Sequence, residues 1–432
     1  MVSIIIAVFP YIICTLLLAS LGIALPRYFL RAYRVHPKGA FLRFALSDDI
    51  PHPQKEKTGF LRVFALTLLA FVLSRAAIWL VGLAGHAIKG NTQVYFWNQS
   101  YIWNQWDAPH YLGIAENGYV TEGDARLHIV FYPLYPLLVR LFSYGFQDYL
   151  ISAYFVSNVC LILSGIMLYR LTELSYGVPT ARRSLWLFMF SPAGAFFSVP
   201  YTESLFFLLT LSSVYCARKH RFFAAILLGA FASFTRLPGA ICAVCIFYEM
   251  LRCDSAYQRT RAQAVRKTFG RFASCSCVLL GFAAYLLINL LVTGNAFQFL
   301  IYQRDHWGQS AGNVFSTARY SIGYLFYPNV DWYQWGVWIP QCVFLLLVPL
   351  VLCLGARKLR PADLAYSLVY FLVTISPTML ISGPRYLCAM FPLYPLLSLF
   401  PKKKLLRFLA CILYAAITVY CYWMYAVEYI LL

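Results

Sequence analysis

Apolar runs of about 17 to 25 residues, the length a helix needs to cross the hydrocarbon of a bilayer, recur from one end of this chain to the other. Only 12% of its residues are charged, where soluble domains carry about 25%, and the mean hydropathy is +0.66. An all-α polytopic membrane protein follows. No segment between the runs is long enough for an independent soluble domain, so residues 1–432 read as one transmembrane unit. The first run, "VSIIIAVFPYIICTLLLASLGIAL", lacks the basic flank of a signal peptide and exceeds its usual apolar length, which makes it a retained span. The 13 cysteines fall in apolar runs or in segments assigned below to the cytosol, so they read as small core residues. Cys242-x-x-Cys245, inside an apolar run, is a weak redox signal.

The net charge of +19 is spread as short clusters between the runs. Such clusters are topology signals, not a nucleic-acid surface, because cytoplasmic loops are enriched in Lys and Arg. With the N-terminus outside, about 12 spans result: 3–25, 60–88, 150–169, 184–200, 201–217, 222–235, 238–251, 272–294, 334–355, 364–382, 386–400 and 408–430. The cytosolic segments then hold 27 of the 35 Lys and Arg residues. Residues 1–58 supply an extra N-terminal span and a basic cytosolic segment, and 89–128 and 295–333 form two outer loops. The apolar segment "HIVFYPLYPLLVRLFSYG", 128–145, would invert every later loop if it crossed. Its two prolines and Arg140 suit a re-entrant or interfacial helix buried in protein.

The first outer loop holds "WDAPHYLGIAENGY", with Asp107, His110 and Glu116 within ten positions. Asp107 can cap a short helix, Pro109 is tolerated in its first turn and Gly118 can end it. At about 100° per residue, Asp107 and His110 lie about 60° apart and Glu116 about 180° from Asp107. Asp107 and His110 can therefore share a site, which Glu116 joins only through a bend; a capped interfacial helix with solvated charges fits the pattern too. In "SPAGAFFSVPYTESLFFLLTL", Ser198 can cap the returning helix, and Glu203 in its first turns needs a partner, a cavity or the helix dipole. "SFTRLPGA" and "ISGPRYLCAMFPLYP" each set an arginine, Arg236 and Arg385, at a helix break on the outer side. A guanidinium there can grip a phosphate with two hydrogen bonds or snorkel to headgroups. Arg304, Asp305 and His306 in "IYQRDHWGQSAGN" could complete a site or form a solvated ion pair. Asn98-Gln99-Ser100 is a glycosylation sequon on the outer side. The sequence has no Walker A loop, Rossmann glycine fingerprint or Cys/His zinc pattern. The absence of a nucleotide-binding domain means that any donor comes from the membrane itself.

"WDAPHYLGIAENGY", "FYPLYPL", "SPAGAFFSVPYTESLFFLLT" and a Ser-Phe-Thr-Arg break, in that order, resemble the PIG-V family, the second GPI mannosyltransferase and its prokaryotic relatives. The resemblance covers roughly residues 60–250, with "GPRYLCAMFPLYP" as a weaker echo. It implies a GT-C type transmembrane helical bundle that takes a sugar, mannose by family, from a polyprenyl-phosphate donor. The family's acidic position falls on Asp107, and its neighbours on His110, Glu116, Tyr201, Glu203 and Arg236. The break reads "TRLPG" where eukaryotic members tend to have Arg-Ser-Asn-Gly, and the long lumenal insertions are missing. These departures favour a prokaryotic relative in the cell membrane acting on a different glycan or glycolipid acceptor; a eukaryotic host would place it in the endoplasmic reticulum.

On this reading Asp107 deprotonates or orients the acceptor hydroxyl, which attacks the anomeric carbon with inversion. Arg236 and Arg385 bind the donor phosphate. His110 and Glu116 complete the catalytic group, and Tyr201, Glu203, Arg304 and His306 line the acceptor and donor pocket. A divalent cation on Asp107 and His110 remains open, although two ligands make a weak site; no other cofactor is implied. Membrane lipids, the lipid-linked sugar and the acceptor are the partners, with no nucleic acid. The competing class is a lipid-linked sugar or polysaccharide transporter, in which the outer charges line a path. A non-catalytic scaffold would tolerate substitution of Asp107.

Overall fold

The computed structural model describes residues 2–33, 39–47, 50, 57–90, 103–254, 261–327, 333–400 and 403–427. The sequon at 98–100 and the rest of 91–102 in the first outer loop lie outside these residues. The described residues are helical, with no strand. The helices used below are α1 (Val2–Ala32), α2 (Phe60–Ile88), α3 (Ala108–Asn117), α4 (Leu134–Phe146), α5 (Tyr149–Tyr176) and α6 (Val178–Met189). They continue with α7 (Glu203–Arg218), α8 (Phe222–Thr235), α9 (Cys242–Asp254), α10 (Val265–Thr293), α11 (Gln298–Trp307), α12 (Gln334–Leu354), α13 (Pro361–Ile375), α14 (Gly383–Cys388) and α15 (Lys404–Ala426).

Six of these, α1, α2, α5, α10, α12 and α15, are long and apolar enough to cross a membrane. A seventh candidate is the 3-10 helix Asp124–Val130 with α4, bent by 113° at the break between them. That bend falls in the segment expected to be re-entrant, at a break that includes Pro133. Several expected spans are shorter than drawn. The run 184–200 ends as helix at Met189 and continues as a 3-10 turn, Gly194–Phe197; 386–400 is divided between α14 and the short helix Leu393–Ser398. These breaks lie beside the charged residues, where irregular backbone is tolerated because protein, not lipid, surrounds it.

Small residues set the helix spacing around those breaks. On α5 the Ser157 hydroxyl donates to the Val199 carbonyl at 2.8 Å and the Ser164 hydroxyl to the Ser204 carbonyl at 3.2 Å. A small polar stripe thus lets α5 approach the start of α7 closely. Gly281 brings α10 onto α8, where an added Cβ would fall 1.8 Å from the Ala230 carbonyl oxygen. On the opposite side of the bundle, Arg218 of α7 pairs with Asp363 of α13, to which the Tyr176 hydroxyl also donates at 2.6 Å. This buried pair is satisfied on both sides, which a charge removed from water requires. All 13 cysteines are free, and Cys242 and Cys245 are buried, as small core residues should be. The extra N-terminal helix α1 packs along α12 and α13.

The break after α8 depends on Gly239. A Cβ there would lie 2.1 Å from the Ala232 carbonyl carbon and 2.3 Å from the Ser233 nitrogen, both backbone atoms that cannot swing away. Gly239→Ala is therefore expected to cost about 1–3 kcal/mol of stability and to displace the turn that carries Arg236. Thermal unfolding in nanodiscs checks this, and an unchanged midpoint would remove the constraint.

Candidate active site: a four-residue charge cluster at the helix breaks

Four irregular segments converge on one cluster. Asp107 precedes α3, Glu203 is the first residue of α7, Arg236 occupies the break after α8, and Arg385 lies in the short α14. Both terminal nitrogens of Arg385 donate to Asp107 Oδ2 at 3.0 Å. Its Nε lies 3.0 Å from Glu203 Oε1, and Arg236 donates to the same oxygen at 2.5 Å. Glu203 is fully buried, and Asp107 retains 29% of its side-chain exposure. Two carboxylates and two guanidinium groups balance, which is how a low-dielectric interior holds four charges at once. The N-terminus of α7 adds its dipole to the stabilisation of Glu203.

The balance is not complete at the level of atoms. Glu203 Oε2 and Arg385 Nε are buried without a hydrogen-bond partner, because the Nε–Oε1 approach is close but poorly aligned. Asp107 Oδ1 has no hydrogen-bond partner among the described residues. Buried polar groups are nearly always paired, so Glu203 Oε2 and Arg385 Nε leave hydrogen-bonding capacity inside the cluster, while Asp107 Oδ1 lies on a partly exposed side chain.

The expected cap is absent. Asp107 occupies the N-cap position of α3, but its side chain makes no cap hydrogen bond and is turned to Arg385. Ser198 does not cap α7, whose N-cap is Thr202, and the Ser198 hydroxyl is buried without a partner. Tyr201 does more than line a pocket. Its hydroxyl donates to the Gln105 carbonyl at 2.8 Å and accepts from the Asp107 backbone N–H at 3.2 Å. It thereby fixes the turn before α3, while its ring lies 5.1 Å from the Arg385 guanidinium. Tyr386 lies 4.7 Å from Arg236 and 4.9 Å from Arg385, an aromatic face between the two cations.

Arg140 of α4 secures the other end of α3. It donates to the carbonyls of Ala115 at 2.6 Å and Glu116 at 2.8 Å, satisfying groups that a helix C-terminus leaves open. The bent segment thus buttresses the helix that follows Asp107.

The remaining expected residues sit elsewhere. Glu116 is exposed at the far end of α3, half a turn away from Asp107 as the helix angle required, and only its backbone carbonyl is engaged. Arg304 and His306 on α11 are exposed. Arg304 pairs with Asp305 at 2.8 Å and holds that carboxyl below its ordinary range, while His306 contacts the rings of Tyr302 and Trp307. His110 lies 3.1 Å through Nδ1 from His128 Nε2 and stacks on Phe131. One of the two facing nitrogens must be the N–H and the other the lone pair. Gly113 makes room for this pair, since a Cβ there would lie 3.2 Å from the His128 ring. His128 was missed from sequence because only the chain reversal between α3 and α4 brings it back over α3. Asp107 and His110 are thus engaged with different partners. Among the described residues no group of three or more His, Cys, Asp or Glu side chains is arranged to hold a metal ion.

The family model described as Mannosyltransferase (PIG-V) matches residues 73–339, which include Asp107, Glu203 and Arg236 but not Arg385. GPI mannosyltransferase 2 of Aspergillus fumigatus is 27% identical over 61% of this chain and 57% of its own length. GPI alpha-1,6-mannosyltransferase 2 of Homo sapiens is 30% identical over 32% of this chain and 29% of its own length. GPI mannosyltransferase 2 of Drosophila pseudoobscura is 32% identical over 29% of each. The chain spans little more than half of the first relative and under a third of the others. All three are eukaryotic, so the expectation of a prokaryotic host gains no support from them. With the family match extending over more than half of its length, this chain belongs to the PIG-V mannosyltransferase family.

Proposed function

We propose that the protein is a mannosyltransferase that moves mannose from a polyprenyl-phosphate donor to a glycolipid acceptor at the outer or lumenal face, with inversion at the anomeric carbon. The observation that carries this reading is the asymmetry of Asp107. One carboxylate oxygen is held by Arg385, and the other is left without a partner on a partly exposed side chain. A carboxylate held in this way can receive or orient the proton of an attacking hydroxyl. Arg236 and Arg385 lie behind it. As the donor breaks at the bond between C1 and the phosphate oxygen, negative charge grows on the leaving phosphate, and preoriented guanidinium groups stabilise it most where water is excluded.

Glu203 has a different role in this scheme from that of a pocket residue. It neutralises the two arginines and yields part of their hydrogen bonding to the donor phosphate. His110 and His128 border the site from α3 and the 3-10 helix before α4. The names of the relatives favour a GPI-type glycolipid as acceptor over the different acceptor expected from the missing insertions. Family membership favours transfer over transport.

Purified protein in proteoliposomes, supplied with radiolabelled polyprenyl-phosphate mannose and a glycolipid extract, is expected to move label into a new glycolipid. Label that only redistributes between leaflets would replace the transferase with a transporter. Equal use of a nucleotide-linked mannose would sink the polyprenyl-phosphate donor.

A further inference from the structure

Trp106, immediately before Asp107, has a backbone φ of +59°. It occupies the first central position of a tight turn closed by the Ala108 N–H donating to the Gln105 carbonyl at 3.1 Å. Asp107 follows at φ −76° and ψ −18°. A positive φ at the first corner of a tight turn is normally left to glycine. A bulky residue in the left-handed region is uncommon and costs of order 1–3 kcal/mol. Here the strained corner is held at both ends by the Tyr201 hydroxyl, through Gln105 and Asp107.

The tryptophan is not part of the buried core. It is 36% exposed and contacts no other aromatic ring among the described residues, whereas Trp103, three positions earlier, is buried and stacks on Tyr425 at 5.2 Å. An interfacial anchor could present an indole from ordinary backbone, so anchoring alone gives no reason for the strain. The turn carries a partly exposed indole on the residue that precedes the carboxylate turned inward to Arg385.

We propose that Trp106 is the platform on which the acceptor's sugar ring stacks, holding its hydroxyl at Asp107. The ligand is a pyranose, whose apolar C–H face suits an aromatic surface and whose rim hydroxyls are within reach of the neighbouring acid. This assignment rests on the transferase reading for the word acceptor, whereas the sugar platform itself is tested without activity.

The decisive variant is Trp106→Gly, because glycine is the residue that the turn prefers. The backbone strain is relieved, so loss of function cannot be ascribed to a damaged turn. Saturation-transfer NMR with octyl α-D-mannopyranoside and protein in nanodiscs is expected to show sugar-ring signal for wild type, a reduced signal for Trp106→Phe and none for Trp106→Gly. In the transfer assay, Trp106→Gly should raise the acceptor KM about tenfold or more, with the donor KM unchanged and the unfolding temperature unchanged or raised. Undiminished ring signal in Trp106→Gly overturns the proposal. So does a parallel rise in donor and acceptor KM, or a fall in unfolding temperature with the sugar signal intact, which would make Trp106 a membrane anchor. If wild type transfers no mannose while the ring signal still depends on Trp106, the platform stands and the transferase reading fails.

Discussion

Asp107→Asn is expected to lower mannosyl transfer by about 10²- to 10⁴-fold, the usual worth of a positioned general base, while leaving the protein folded, with a lowered unfolding temperature because one buried guanidinium loses its counter-charge. The amide keeps the shape of the carboxylate and an oxygen that Arg385 can still donate to, so the cluster should hold together. What is lost is the negative charge that receives or orients the acceptor proton. Initial rates at saturating donor and acceptor, measured with both proteins in the same lipid, check this. Full activity in a folded Asp107→Asn protein would sink the assignment of Asp107 as the base. A small loss would leave Asp107 a binding contact only.

The second large effect is at Arg385, where structure and chemistry meet. Arg385→Met leaves Glu203 buried with Arg236 alone and frees Asp107 from its hydrogen bonds. Breaking a buried ion pair from one side typically costs about 3–5 kcal/mol, because the remaining charge is left uncompensated. Transfer should be lost as well. Because Glu203 keeps Arg236, the orphaned charge is that of Asp107, so the double variant Arg385→Met with Asp107→Asn should recover most of the stability, but none of the transfer. That pattern separates the two roles, since coupled neighbours are non-additive in stability while the phosphate still lacks its second guanidinium. Arg385→Lys should behave as a poor substitute, because one ammonium cannot address Asp107 and Glu203 with the geometry of a fork. A stable, active Arg385→Met protein would remove Arg385 from the site altogether.

The sequence exposed the members of the cluster for one reason: a charge in a lipid-facing chain is costly, so each outer-side ionisable residue had to be accounted for. Asp107, Glu203, Arg236 and Arg385 were picked out in that way. Arg304 and His306, expected to line the pocket or to sit in a solvated loop, are exposed on α11, with Arg304 paired to Asp305. Helical geometry correctly separated Glu116 from Asp107. It could not reveal His128, nor that Tyr201 fixes the turn at 105–107, because both contacts join segments distant in sequence. The expected cap at Asp107 failed for a related reason: a buried guanidinium competes for a carboxylate more strongly than a backbone N–H that water can reach.

By itself, then, the sequence determined the helical membrane class and the family, since apolar run length and ordered motifs are local properties of the chain. Only the tertiary structure decided which charges meet. Four residues from four helix breaks, as far apart as 107 and 385, become one neutral cluster because small-residue helix packing brings the breaks together, and burial then makes pairing obligatory. The left-handed turn at Trp106 belongs to the same category: nothing in the dipeptide Trp-Asp announces it, and it exists because Tyr201 holds both of its sides.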